Sequence, residues 1–271
     1  MADLSLPRHG GAAATALLIL ASIGYGAVKG GHVPMIVGVF KDARDAAANA
    51  AGFRIAAVSL SGEKQVTQGE IFAAAGVTDH ASLLFLDVED ARLRLKALPW
   101  ISDATVRKLY PDRLQITVTE RDAFALWQLD GKVSVISADG TVVGPIGNGR
   151  FAVLPLVVGA GAASRAREFL ARLEQYPAIR DQVRASVLVA ERRWNLKLKN
   201  GVDVRLPEND IESALDKLAR LDRDKRLSTR DILAIDLRLP DRVVVRLSGE
   251  AGQAREDVLK DKKNKRKGGD A

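Results

Sequence analysis

The chain contains no cysteine and only three histidines, His9, His32 and His80. Without cysteine it can form neither a disulfide nor a thiolate zinc site, although an exported protein does not require either of them. The histidines lie in three separate stretches, and no two of them have the spacing of ligands to one metal. We therefore expect neither a metal nor a cofactor.

Recognisable catalytic motifs are also missing. The chain has no Gly-x-Ser-x-Gly sequence, and a Ser-His-Asp site would have to use His80, which we place at a connection between two helices. We expect no catalytic residues and no enzymatic activity.

One glycine-rich stretch, residues 156–164, has some features of a phosphate-binding loop. Gly159 and Gly161 precede a helix, and Asp181 follows at about the distance of a ribose-binding acid. Ser164, however, stands where the third small residue should be and is better explained as a helix N-cap. A dinucleotide site also needs further βαβ units. The prediction is a loop that binds no phosphate.

Long uncharged runs are scarce, and only residues 10–28 form one that could cross a bilayer as a helix. We predict a cytoplasmic tail at 1–9 and a transmembrane helix at 10–29. A cleaved signal peptide is the alternative, with a small-residue site near Gly24 and Gly26. Basic residues flank the run on both sides and give almost no orientation bias. A short cytoplasmic N-terminus with the bulk outside is still the simpler arrangement.

Two further segments flank the folded part of the chain. Residues 30–52 contain an apolar patch at 35–40 that is too short to cross the membrane again, which favours a stalk or interfacial helix. At the other end, part of the excess of 41 Lys+Arg over 34 Asp+Glu lies in the stretch 260–267. We expect residues 249–271 to be a disordered basic tail that binds no nucleic acid.

Residues 53–121 have the pattern of a small β-α-α-β-β domain. A β-prone run at 53–60 precedes Thr67 and Glu70, whose spacing is that of a capping box. Gly76 is placed to end the first helix, and Asp87 to begin the second. Period-two alternation then predicts strands at 104–109 and 114–120.

Residues 122–248 alternate mostly between short strands and turns. Two helical patterns, at 164–176 and 209–221, interrupt them, and each would cover a face of a sheet. The predicted strands are 123–129, 132–137, 141–145, 183–189, 196–198, 202–206, 231–239 and 242–247.

Several short motifs in these two regions resemble the FtsQ/DivIB family of bacterial cell-division proteins. In the first region they lie at 53–55, 58–62, 98–101, 104–107, 110–114 and 118–121, and resemble the family's polypeptide-transport-associated (POTRA) domain. In the second they lie at 125–127, 139–140, 154–156, 192–194, 198–201 and 235–242, and resemble its β domain. The resemblance implies an α+β chain with a single N-terminal transmembrane helix, a βααββ POTRA domain at 53–121, and a mixed β-sheet domain with covering helices at 122–248.

The resemblance also implies a function. It implies a single-pass inner-membrane protein at the division septum, with a periplasmic bulk, that links early and late division proteins. The β domain would bind FtsB and FtsL by β-strand addition, and the POTRA domain would contact other divisome proteins. A POTRA-type chaperone or translocation module is one alternative, and an envelope enzyme is another.

Carried over by position, the partner-binding site would lie on the last two strands and at the entrance to an earlier strand. A peptide could add there because an open edge leaves backbone groups unpaired. We expect Val244→Pro to remove one donor and reduce partner affinity. Leu239 stands where some members have an aromatic residue, and no tryptophan follows the final strand. The predicted residues are Arg192, Arg193, Ile235, Asp236, Leu237, Arg238, Leu239, Arg242, Val243, Val244, Val245, Arg246 and Leu247.

Overall fold

The computed structural model describes residues 15, 17–19, 21–22, 25–26, 29–147, 149–225, 232–249 and 252–253. Contacts within the chain divide it into two compact units, Met1–Glu120 and Arg121–Ala271. The predicted tail at 1–9 and most of the predicted tail at 249–271 lie outside the described residues.

The predicted transmembrane segment, 10–29, is described only in part. Its described residues are helical, and Leu17, Leu18, Ile19 and Tyr25 are each more than half exposed. Within the described part of the chain, no helix has both the length and the apolarity needed to cross a membrane.

A helix, α1 (Val33–Ala48), occupies most of the predicted stalk. Its first turn accepts Pro34 because the N–H groups there need no partner within the helix. One π-helical turn, Asn49–Phe53, follows, and Arg54 then forms an isolated bridge with Ser82. The first strand is therefore shorter than the predicted 53–60.

The first unit has the predicted β-α-α-β-β order. Its three-stranded sheet has the order β1-β3-β2, with β1 parallel and β2 antiparallel to β3, and the two helices contribute to its core. The elements are β1 (Ala57–Ser61), α2 (Gln68–Ala75), α3 (Val88–Lys96), β2 (Ile101–Leu109) and β3 (Arg113–Glu120).

The predicted helix ends in this unit are confirmed. Thr67 Oγ1 accepts the Glu70 N–H at 3.3 Å while the Glu70 carboxylate accepts the Thr67 N–H at 2.9 Å, which is a complete capping box. Gly76 ends α2 in the left-handed conformation, with φ of 75°. Asp87 caps α3 by accepting two backbone N–H groups, and these bonds lower the pKa of its carboxyl group.

Glu120 at the end of β3 fastens the loop that follows β1. Its buried carboxylate accepts the backbone N–H groups of Lys64, Gln65 and Val66 at 2.7–3.0 Å. Three such bonds satisfy the loop donors and the acid together, so the connection to α2 is held on the sheet.

The second unit is built on a nine-stranded mixed sheet with the order β12-β11-β10-β9-β8-β7-β4-β5-β6. The pairs β4/β7, β7/β8 and β10/β11 are parallel, and the others are antiparallel. Its strands are β4 (Ala123–Leu129), β5 (Lys132–Ser137), β6 (Val142–Pro145), β7 (Leu156–Val158), β8 (Val183–Val189), β9 (Arg193–Leu198), β10 (Asp203–Arg205), β11 (Ile232–Asp236) and β12 (Val244–Leu247); its helices are α4 (Ala162–Glu174), α5 (Pro177–Arg180) and α6 (Ile211–Lys225).

Residues 156–164 differ from the prediction of a loop. The first three residues form strand β7, and α4 already begins at Ala162. Gly161 is the N-cap, in the left-handed region with φ of 71°, while the Ser164 hydroxyl donates to the Gly161 carbonyl at 3.0 Å. The prediction that Ser164 is the N-cap is therefore wrong, because Gly161, three residues earlier, makes the tight turn into the helix.

Both longer helices of this unit cover the same face of the sheet. Phe169 of α4 stacks on Trp194 of β9 with ring centroids 4.3 Å apart. The Tyr176 hydroxyl donates to the carboxylate of Asp216 on α6 at 3.0 Å, and Arg172 of α4 pairs with Glu212 of α6. Contact between the helices places them side by side, so the opposite face of β9–β12 carries neither of them.

Candidate partner-binding edge

Strand β12 forms one edge of the nine-stranded sheet. It pairs antiparallel with β11, with Val244 opposite Asp236 and Arg246 opposite Ala234. No other strand in the described part of the chain lies beside it. Its outer side therefore presents backbone groups to which a further strand could pair.

The hydrogen bonds of the next strand pair fix which backbone groups of β11 face β12. The Leu237 N–H donates to the Arg205 carbonyl of β10 at 2.9 Å. Backbone groups alternate sides along a strand. The N–H and C=O of Ile235 therefore also point toward β10, whereas those of Ala234 and Asp236 point toward β12.

The same alternation fixes the direction of the backbone groups of β12. Val244 and Arg246 lie opposite Asp236 and Ala234 and use their N–H and C=O groups to bond to β11. Val245 lies between these two residues and therefore directs its N–H and C=O away from the sheet. Val245 N–H is thus an edge donor, and Val244 N–H is not.

Burial separates the predicted site residues into two groups. Ile235 and Leu237 are only 1% and 4% exposed and pack in the core, so their side chains shape the edge rather than reach a partner. Val243 and Leu247 are partly buried against the same core. Val244 and Arg246 are exposed on the opposite face of the sheet.

That opposite face, which we call the outer face, carries two cross-strand rows of mostly polar side chains. The strand registers place Asn195, Arg205, Asp236 and Val244 in one row, and Lys197, Asp203, Ala234 and Arg246 in the other. None of these side chains is buried, and β12 forms the end of both rows. A strand added to β12 would extend both rows by one residue.

Charges on the outer face are only partly balanced. The Asp236 carboxylate pairs with Arg238 and, at 3.7 Å, with Arg205. Asp203 pairs with Lys197 at 2.6 Å. Arg193 at the start of β9 and Arg246 on β12 have no carboxylate of the described residues within ion-pair distance. The face therefore has a surplus of positive charge that suits an acidic partner segment.

Comparisons with known proteins bear on both units. The model of the POTRA domain, FtsQ-type, matches residues 53–121, and that of the Cell division protein FtsQ/DivIB, C-terminal, matches residues 125–238. A Bradyrhizobium diazoefficiens protein, "Cell division protein FtsQ", is 55% identical over 98% of this chain and 78% of its own length. The chain belongs to the FtsQ family. Proteins of the same name in Agrobacterium fabrum and Caulobacter vibrioides are 39% and 38% identical, over 94% and 90% of this chain and 78% of their own lengths.

The family assignment confirms the resemblance drawn from the sequence motifs, and with it a POTRA domain followed by a β-rich domain. The C-terminal family model ends at residue 238, before β12 begins. The similarity to the Bradyrhizobium FtsQ, which covers 98% of the chain, extends beyond that point.

The other predicted arginines of this FtsQ-family chain have separate surroundings. Arg192 lies in the turn before β9 and approaches Glu208 at 3.8 Å, whereas Arg193 begins β9 itself. Arg242 pairs with its neighbour Asp241 in the β11–β12 connection, near the exposed Leu239. The structure thus brings Arg193 and Arg246 to one face of the sheet and leaves Arg192 and Arg242 in turns.

Apart from Arg193, sequence analysis missed the outer-face residues of β9 and β10. Asn195 and Lys197 alternate with the buried Trp194 and Leu196, which is a period-two signal. Arg205 follows the buried Val204 in the same way. Nothing in that pattern says that β10 lies between β9 and β11, so the residues could not be assigned to one surface.

The glycine-rich turn between β7 and α4 has an acidic neighbour. The Glu191 carboxylate lies 3.4 Å from the position of an added Cβ on Gly161. A carboxylate there would repel a phosphate at the helix N-terminus. Among the described residues, no group of three His, Asp or Glu side chains is placed to hold a metal ion.

Arg238→Ala should raise the pKa of Asp236. The hydrogen bonds and charge of Arg238, with a smaller effect from Arg205, hold that pKa below its usual range. Because the folded-state pKa is depressed, the stabilisation exists above the unfolded-state value of about 4 and is lost as the pH falls through the folded pKa. Carboxyl NMR titration should show the upward shift in Arg238→Ala and none in Arg242→Ala, whose guanidinium pairs with Asp241. An unchanged Asp236 pKa in Arg238→Ala would contradict this account.

Proposed function

We propose that this chain is a divisome scaffold at the division septum, anchored in the inner membrane, which receives FtsB and FtsL on the β12 edge. The observation that carries the proposal is the outward N–H and C=O of Val245, on a strand that pairs on one side only within the described part of the chain. The POTRA domain would contact other divisome proteins. This function comes from the FtsQ family, and the edge geometry supports it.

The uncharged run at 10–28, which ends at Lys29, supports the anchoring part of the proposal. A helix of about 20 apolar residues is sufficient to cross a bilayer. With the N-terminus in the cytoplasm, both folded units lie in the periplasm, where periplasmic segments of FtsB and FtsL can reach β12.

Strand addition at β12 would use both backbone and side chains. A partner strand would bond to Val245 and would place alternate side chains on the outer face, beside Val244 and Arg246. Acidic residues at those positions would face Arg246 directly. Arg193, three strands away, is too distant for the same partner strand and would meet a flanking segment.

The binding test uses the full chain in detergent with the periplasmic segments of FtsB and FtsL. Saturable binding to the folded protein supports the scaffold. Absence of binding at physiological salt would overturn this function and favour the POTRA-type chaperone, which is then tested by its capture of unfolded chains.

The double variant Arg193→Glu with Arg246→Glu should weaken FtsB binding by at least tenfold at low salt. It places acids on the outer face where the partner's acids would meet cations, and like charges at an interface are strongly unfavourable. The loss should shrink as salt is raised, because salt screens exposed charges. Arg165→Glu on α4, an exposed arginine of the helix-covered side, is the control and should bind normally. Equal loss in both variants would contradict a contact at the outer face.

A further inference from the structure

The two halves of helix α1, which meet at Lys41, differ in their side chains and contacts. In its first half, Met35, Val37, Val39 and Phe40 are 45–73% exposed. Successive residues of a helix are rotated by about 100°, so these four side chains point to different sides rather than forming one stripe. A protein partner that covers one face would leave others in water, whereas a surrounding apolar medium would cover all of them.

The second half of α1 is fastened to the loop between α2 and α3. The Ser82 hydroxyl donates to the Asp45 carboxylate at 2.9 Å, and Ser82 itself is buried. One turn later, the Asn49 side-chain amide donates to the His80 carbonyl at 3.0 Å. Two side-chain hydrogen bonds on successive turns fix both the position and the rotation of this half.

Aromatic and apolar contacts add to this attachment. The Arg44 guanidinium lies over the Phe85 ring, 4.0 Å from its centroid. Ala48, the last residue of α1, is buried. The end of α1 therefore belongs to the folded unit, while its beginning projects from that unit.

The distribution of charge identifies the surrounding medium. No Asp or Glu occurs between Leu4 and Lys41, and the charged residues in that stretch are Arg8, Lys29 and Lys41. The first acid, Asp42, appears where the exposed apolar half ends. Apolar side chains bordered by cations and without acids match a bilayer with anionic headgroups.

We propose that Val33–Phe40, the first two turns of α1, lie within the boundary region of the phospholipid bilayer. At 1.5 Å per residue these turns are about 12 Å long, too short to cross a hydrocarbon core of about 30 Å. The attached second half then holds the POTRA domain at a fixed distance from the membrane surface. This inference rests on the proposed anchoring of residues 10–29.

The absence of cysteine allows a direct test in the full chain. Single-cysteine variants Val39→Cys and Phe40→Cys carry an environment-sensitive fluorophore in vesicles of phosphatidylethanolamine and phosphatidylglycerol. Ala47→Cys, an exposed position in the attached half, is the aqueous control, and Leu18→Cys reports on the span itself. We expect spin-labelled lipid to quench positions 39 and 40 several-fold more than position 47.

The outcomes test the position of Val33–Phe40 and the anchoring by residues 10–29 separately. Quenching by lipid at position 18, but only by aqueous iodide at 39 and 40, would overturn the placement of Val33–Phe40 in the bilayer and leave the anchor intact. Aqueous quenching at position 18 would overturn the anchor and, with it, this inference. Neither result bears on FtsB binding, which is measured separately in detergent.

A second pair of variants tests the rigid attachment. Asp45→Ala removes the acceptor for Ser82 and should raise the rotational mobility of a label at position 47. Asp42→Ala removes an exposed acid that has no hydrogen bond or ion pair among the described residues, and it should leave that mobility unchanged. Unchanged mobility in Asp45→Ala would overturn the fixed attachment.

Discussion

Val245→Pro should reduce the affinity for the FtsB segment by one to two orders of magnitude while the second unit stays folded. Proline removes the outward N–H of Val245, and its ring occupies the space that a paired strand needs. The native pairing with β11 uses the N–H groups of Val244 and Arg246, which remain. A tenfold to hundredfold loss corresponds to about 1.4 to 2.8 kcal/mol, the range of one lost hydrogen bond and an added clash.

The matched variant is Val244→Pro, one residue earlier on the same strand. Its N–H faces β11, so proline there breaks a native hydrogen bond and loosens the edge strand itself. We expect Val244→Pro to lower both the melting temperature and the affinity, whereas Val245→Pro should lower mainly the affinity. Calorimetric titration and thermal unfolding measured by circular dichroism separate the two effects. Unchanged FtsB affinity in folded Val245→Pro would move the site away from this edge.

The sequence predicts that residues 244 and 245 lie in a strand, but it does not predict which of their N–H groups points outward. The period-two pattern at 242–247 indicates a strand, and the same pattern in 123–129 and 183–189 predicted the bounds of β4 and β8 correctly. Which way the Val244 N–H points depends on the order β12-β11-β10 and on the Leu237 bond to Arg205. Pairing between distant segments leaves no periodic signal along one strand, so the sequence alone cannot show that Val245, and not Val244, has the outward N–H.

The residues of the candidate site, likewise, could be predicted from the sequence only in part. The two last strands were identified as the edge from their motifs and β propensity. Ile235 and Leu237 were included because they belong to those motifs, but they face the core formed with α4 and α6. Arg205 and Lys197 were omitted because only the sheet order places β10 beside β11 and β9 beside β10. Short β7 was missed because three residues are too few to show an alternating pattern.

Gly62→Ala should cause the largest loss of stability in the first unit. Gly62 has φ of 92°, where an L side chain is strained, and an added Cβ would lie 1.9 Å from the Val118 carbonyl oxygen of β3. Backbone atoms of a central strand cannot move aside as a flexible side chain can, so β1 or the loop after it must shift. The bonds from Lys64 and Val66 to the Glu120 carboxylate would stretch with it. We expect a loss of at least about 3 kcal/mol in the free energy of unfolding.

Gly69→Ala is the matched control for this prediction. Gly69 lies in the first turn of α2, where an added Cβ would meet nothing within 4 Å. Alanine is the better helix former by up to about 1 kcal/mol, so this variant should be as stable as the parent or slightly more so. Chemical denaturation of the full chain, followed at Trp100 after Trp127 and Trp194 are replaced by Phe, reports on the first unit. Equal midpoints for the two alanine variants would show that the contact between Gly62 and β3 does not constrain this fold.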